Sequence, residues 1–308
     1  MFLANECTVS SLPMRASLLR MSPLQASLFK WIGLFLGMAL LVSGSAVAFS
    51  PPRGIEVVTI AGGLDGKKYE FQAVSINLAQ VRRVDLHFDF DSEENEFRPI
   101  SLAAALKAKK LSAYRAFFGA SYIRTYRPFR PAGYIHHKGR DLQKRQTYNW
   151  KNDSIICYAP DRKSFLIFHV GEKAIPKQVN FCFQAGPTLV RNWKVERTDL
   201  EKLGTRGLSR NESKDLTEKR DRYFDRSLAH SFYCFTGSSV KVFFSKQDIE
   251  LNRFQKILRK ENRSKKFACQ HLVRFIGANR MGGVVRLGSG AFVIGAANFG
   301  YPVLLAFK

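Results

Sequence analysis

Residues 179–195, VNFCFQAGPTLVRNWKV, constrain the fold more tightly than any other stretch of the chain. The run opens by alternating. Val179, Phe181 and Phe183 fall on one side and Asn180, Cys182 and Gln184 on the other, the period-two signature of a strand. Ala185-Gly186-Pro187 breaks the pattern, and Thr188-Leu189-Val190 resumes an extended apolar run. Proline fixes its own φ, offers no N–H to a ladder and steers the residue before it out of the helical region. Gly186-Pro187 therefore predicts a sharp turn between two short strands. That turn brings Gln184, an amide with two donor hydrogens and an acceptor oxygen, to a sheet edge beside exposed backbone. Read alone, the same pattern is also an ordinary strand–turn–strand of a β-rich core.

The flanking sequence continues in the same style. Residues 55–60 and 69–78 read as strands joined through Gly62-Gly63 and Asp65-Gly66, and 84–91 (VDLHFDFD) alternates as a half-solvated strand. Residues 100–111 carry Ala and Leu at helical spacing behind the cap candidate Ser101, which predicts a helix. A hairpin is expected over 149–160 and 163–170, strands over 227–234 and 239–244, and an amphipathic helix over 247–260 with Ile249, Phe254, Ile257 and Leu258 on one face. Residues 196–223 are dense in charge with almost no apolar periodicity, the pattern of a solvated excursion. Strands outnumber helices, and the order of elements predicts one mixed, β-sheet-rich α+β domain with a few packed helices.

The N-terminus reads differently. Arg15, Arg20 and Lys30 lead into an apolar run over 31–42, and Ser43-Gly44-Ser45-Ala46-Val47-Ala48 supplies small residues of the A-x-A kind. This predicts a signal peptide over 1–48, cleaved after Ala48, then a linker over 49–56 and the domain over 57–308. The competing expectation is an uncleaved anchor, because 31–48 is about long enough to span a bilayer. Past residue 48 four cysteines remain, Cys157, Cys182, Cys234 and Cys269. Four cysteines allow three pairings, and free thiols are equally compatible with the spacing. The 308 residues carry 49 Lys and Arg against 25 Asp and Glu, a net charge of +24 spread along the chain. A surface of that kind favours an anionic partner, and export argues against nucleic acid.

In order, a helix leads to Phe117-Phe118-Gly119-Ala120-Ser121-Tyr122, then a P-A-G-Y-x-x-x-x-G turn from Pro131 to Gly139, then Gln184-Ala185-Gly186-Pro187 with Leu189-Val190. Arg226 opens the following strand, and a helix runs on to a Cys-containing strand and a glycine turn over 269–285. This order resembles the phosphodiester glycosidase domain, the family of the enzyme that uncovers mannose 6-phosphate and of many exported bacterial proteins linked to exopolysaccharide. The resemblance covers roughly residues 57–308, and its most specific piece is Q-A-G-P-x-L-V. It departs from the family pattern at two places. Phe118 stands where Asn is usual, and Ile276 stands where the Asp of Leu-Asp-Gly-Gly is usual.

The resemblance implies an exported protein that hydrolyses or binds a sugar-1-phosphodiester in an envelope polymer, or a silent relative that only binds anionic glycan. Cleaving such a linkage builds oxocarbenium character on the sugar and charge on the departing phosphate, which calls for a carboxylate near the ring and donors at the phosphate. The candidate reacting residues are Gln184, Arg226 and Asp225, the acid nearest in sequence to a matched position. Gly119, Gly133, Gly186, Pro187, Gly277, Asn279 and Arg280 are the candidate substrate-binding positions. No cofactor and no metal is expected. His136 and His137 alternate to opposite faces of their strand, an arrangement unsuited to a shared ion.

Overall fold

The computed structural model describes residues 53–121, 123–126, 128–144, 153–170, 175–195, 218–219, 221–261, 267–275, 281–287, 290–295 and 299–308. The segment expected to be a signal peptide or anchor and most of the expected charged excursion lie outside these residues.

The middle layer is a seven-stranded sheet in the order Ile55–Leu64, Lys67–Asn77, Ser239–Ser245, Ser231–Phe235, His271–Arg274, Thr188–Arg191, Lys194–Val195. Its first two strands form a hairpin whose register runs from Ile55 opposite Ile76 to Leu64 opposite Lys67. Asp65 and Gly66 close that hairpin with φ of 51° and 72°, the left-handed pair that a two-residue turn requires. A five-stranded sheet follows the order Arg140–Gln143, Ile135–His137, Phe181–Ala185, Ser154–Ala159, Ser164–His169. A second five-stranded sheet runs Gly290–Gly295, Gly282–Leu287, Ala116–Ser121, Val303–Phe307, Val84–His87.

Alternation along the strands sorts side chains into layers. Tyr233 and Phe244 of the middle sheet meet Phe181 and Phe183 of one outer sheet and Phe118 and Leu305 of the other in a single buried cluster. Phe232 and Cys234 point the opposite way, into a cluster with Phe71 and Leu272. The helix Leu251–Glu261 covers that face. Its Phe254, Ile257 and Leu258 recur at the spacing of one helical stripe, and the Phe254 ring stacks on Phe232 at 4.5 Å between centroids. Cys182, between Phe181 and Phe183, faces outward with Tyr134, Ile155 and Cys157. Two disulfides resolve the pairing left open by the sequence: Cys157–Cys182, between residues directly opposite in adjacent strands, and Cys234–Cys269.

Several expectations are corrected. The strand content is divided among separate sheets, and every described ladder is antiparallel, because short turns join most successive strands. The reading of a β-sheet-rich α+β domain with a few helices roughly fits, with sheet far outweighing helix. The strand over 84–91 is two pieces, Val84–His87 and Asp89–Asp91. The helix over 100–111 shortens to Leu102–Lys107, with Ser101 Oγ accepting from the Ala104 N–H as expected of a cap, and finishes as a 3₁₀ turn at Lys109–Leu111. The later helix begins at Leu251 because Ile249 is drawn into an isolated bridge with Leu228.

Candidate functional site

The Gly186-Pro187 turn joins the central strand of one outer sheet to the middle sheet, and its peptide bond is cis. The Gly186 N–H donates to the Arg274 carbonyl at 3.0 Å, and the Arg274 N–H returns to the Pro187 carbonyl at 3.0 Å. Directly before the turn, Gln184 is fully buried. Its backbone N–H donates to the Tyr134 carbonyl, and its Oε1 accepts from the Tyr134 N–H, both at 2.9 Å. A single residue thereby satisfies both backbone groups of Tyr134 where a ladder begins.

Glycine is demanded next to it. Gly133 has φ +90°, and a Cβ there would stand 2.8 Å from the Gln184 Cβ. Gly119 lies against Tyr301, whose ring atoms a Cβ would approach to 2.5 Å, and its carbonyl accepts a hydrogen bond from Tyr233 OH. The Tyr233 ring packs on Phe183, one residue before Gln184, at 5.6 Å. Gly119, Gly133, Gln184, Gly186 and Pro187 thus belong to one connected junction between the three sheets. Gly277, Asn279 and Arg280 lie outside the described residues. The flanks of their segment are held by Ser231, whose carbonyl accepts from the Phe275 N–H at 2.9 Å and whose Oγ accepts from the Met281 N–H at 3.0 Å.

Asp225 and Arg226 do not join this junction. Both are exposed, and Arg226 follows a helical stretch over 221–225 instead of opening a strand, which starts only at Ser231. The stretch buries Phe224 and turns its charges to solvent. Asp225 accepts a hydrogen bond from the Asn252 side chain, on the helix that covers the middle sheet. Gln184 belongs to a sheet packed on the opposite face. The expected trio of Gln184, Arg226 and Asp225 is therefore divided by the middle layer.

Two polar groups near the turn escaped the sequence reading. Arg274 is 2% exposed, its Nε donates to His230 Nδ1 at 2.8 Å, and its guanidinium donates to Tyr223 OH while lying 5.2 Å from the Tyr223 ring centroid. His230, accepting at Nδ1, is neutral with its proton on Nε2. Burial first, and then the Arg274 charge, push its pKa down to about 3. Asp153 is the second. Its Oδ1 accepts from the Thr188 N–H and the Thr188 hydroxyl, each at 2.9 Å, and the Ser154 hydroxyl bonds to the same threonine. Burial pushes the Asp153 carboxyl up to about 6, against the pull of Thr188 and the Arg191 charge. The signal that could have found it is an acid standing just before the apolar run Ile155-Ile156-Cys157-Tyr158-Ala159. His136 and His137 do diverge as alternation required: His136 Nδ1 lies 2.6 Å from Asp141 Oδ1, while the His137 ring meets Phe88 edge-on at 5.0 Å.

No family model and no curated protein matches this sequence. Among solved structures, the chain is similar to the catalytic domain of zebrafish N-acetylglucosamine-1-phosphodiester α-N-acetylglucosaminidase, auto-inhibited by its pro-peptide. The TM-score is 0.54 at 12% identity, over 84% of this chain and 85% of that one. A hypothetical protein from Synechocystis is matched at TM-score 0.48 and 9% identity, over 84% of this chain and 64% of that one. The fold is thus of the kind seen in a phosphodiester glycosidase catalytic domain. At 12% identity the likeness is one of architecture.

Proposed function

We propose that this chain is an exported, glycosidase-fold protein that binds a phosphodiester-linked sugar or related anionic glycan at the cell envelope and does not hydrolyse it. One observation carries the absence of turnover: the polar groups at the turn are spent on the protein itself. Gln184 clamps Tyr134, and Asp153 holds Thr188. Oxocarbenium chemistry asks instead for a carboxylate facing the sugar ring. Ile276 and Phe118, standing where the resemblance expects Asp and Asn, point the same way. Export is supported by the N-terminal sequence and by two disulfides, which persist in oxidising compartments. The anionic ligand is supported by the +24 charge.

The test is direct. Purified protein is incubated with a sugar-1-phosphodiester and free sugar is measured, while binding to anionic glycan is titrated at two salt concentrations. We expect no release above buffer and binding that weakens as salt screens the charge. Steady release of sugar overturns the non-hydrolytic reading, and absence of any glycan binding overturns the whole proposal.

A further inference from the structure

Away from the turn, between the Ser154–Ala159/Ser164–His169 hairpin and the edge of the middle sheet, lies a groove of about 490 Å³. Arg162 and Arg191 supply its charge, His169 and His271 imidazole nitrogens, Phe168 an apolar wall and Gln270 an amide, and among the described residues no Asp or Glu lines it. Among the described residues, Asp161 lies 4.0 Å from Arg162, both exposed, and the buried Asp153 feels the Arg191 charge. Among the described residues, the ionised side chains that line the groove, Arg162 and Arg191, are both cationic.

Its rim carries a second, independent oddity. Asn192, which lines the groove, and Trp193 form the two-residue turn between Thr188–Arg191 and Lys194–Val195, with φ of 46° and 68°. A turn of this type normally has glycine at its second position. Here that position is Trp193, 52% exposed, with its N–H donating to the carbonyl of the groove residue Gln270 at 2.9 Å. Holding a bulky side chain in the left-handed region is costly, and such outliers cluster where a ligand is clamped.

We propose that this groove and Trp193 form a binding site for an acidic oligosaccharide. The indole offers a flat apolar face to a sugar ring. Arg162 and Arg191 meet a carboxylate or phosphate, the planar anions a guanidinium fork fits. Gln270 meets sugar hydroxyls. The inference rests on the anionic-glycan reading above and gives it a place, one that does not involve Gln184 or the Gly186-Pro187 turn.

The full chain is titrated calorimetrically with an oligogalacturonate, a phosphodiester-linked glycan fragment, a neutral glucan oligomer and single-stranded DNA. Variants are Trp193→Gly, which the turn's backbone accepts, the pair Arg162→Gln/His271→Gln, and Lys256→Gln on the helix side as a control. Wild type is expected to bind an acidic oligomer and to favour it over the neutral one by about tenfold, the effect of one well-placed charged contact. The stronger of the two acidic arms identifies carboxylate or phosphate. Trp193→Gly should weaken binding about tenfold, as loss of a stacked aromatic does. The double variant should weaken it and flatten its salt dependence, and Lys256→Gln should bind as wild type does. Unchanged affinity in the first two variants overturns the groove and leaves the glycan reading standing. Wild type that binds no acidic glycan overturns both. DNA binding at least as tight as the acidic glycan overturns the proposed occupant.

Discussion

Replacing Asp153 with Asn isolates one buried carboxyl. In the folded chain this group titrates near 6 against an ordinary 3.8, with burial as the main cause. A carboxyl raised in this way binds its proton more tightly folded than unfolded. Its contribution to stability is therefore full below the unfolded value and is lost as pH rises through the folded one. At about 1.4 kcal/mol per unit, the full swing is about 3 kcal/mol, of which about 2 kcal/mol falls between about pH 4.5 and pH 7.5. Asn keeps an oxygen for the Thr188 N–H and hydroxyl but cannot titrate, so the variant lacks the swing. His230, pushed down to about 3, and the similarly lowered His87, His137 and His271 act with the opposite sign. They are present in both proteins and cancel in the difference. The assay is thermal unfolding of wild type and Asp153→Asn across that pH range. The melting temperature of the variant relative to wild type should rise by about 4–8 °C from the acid end to the neutral end, at about 2–4 °C per kcal/mol for a domain of this size. A difference that stays flat with pH would refute the reasoning, since it would mean that Asp153 titrates at an ordinary value.

Three further outcomes follow from local geometry. Trp193→Gly should raise the urea midpoint by an amount worth about 1 kcal/mol, because glycine takes φ 68° without penalty; an unchanged or lower midpoint contradicts the strain. Gly133→Ala should destabilise by about 2–3 kcal/mol, since both its φ of +90° and the Gln184 Cβ oppose a side chain, and a wild-type melting temperature would show that the junction yields. Removing the Cys157–Cys182 pair by double Ala substitution opens a closure of 25 residues, worth about 3.5 kcal/mol by chain entropy, and removing Cys234–Cys269, a separation of 35, about 4 kcal/mol. Chemical denaturation of each double variant measures both, and equal stability to wild type would contradict the loop-closure account.

What the sequence revealed and what it hid divide along the range of the interactions involved. The Asp65-Gly66 hairpin, the Ser101 cap, the stripe of Phe254, Ile257 and Leu258, and the Gly186-Pro187 break are local. Each depends on a few neighbouring residues and could be read from them. Strand order, the division into three main sheets and the cysteine pairing depend on residues far apart in the chain, and no local pattern encodes them. Arg274 shows how a site residue hides. In HLVR it looks like a polar residue at a strand end, yet Tyr223 and His230, some 50 and 44 positions earlier, close over it and bury it. Asp225 and Arg226 mislead in the opposite direction. Their place before a strand resembled a site position, but the helical pattern that buries Phe224 turns both to solvent.

The most family-like segment is also the one with the heaviest structural duties, and this bears on what its likeness means. A strand that leaves one sheet to enter another must end two ladders at once, and each ending strands backbone donors and acceptors in a dry interior. Here Gln184 satisfies both backbone groups of Tyr134, and Gly186 and Pro187 exchange backbone bonds with Arg274. Replacing the Gln184 side chain leaves the buried Tyr134 N–H unmet, at about 1–3 kcal/mol. The Gln of Q-A-G-P thus serves the joint between sheets whether or not a sugar is ever cut nearby. Its presence is therefore evidence for the architecture and is neutral about catalysis. Evidence for a ligand has to come from outside that joint, and the strained, half-exposed Trp193 beside a groove lined by Arg162 and Arg191 lies there.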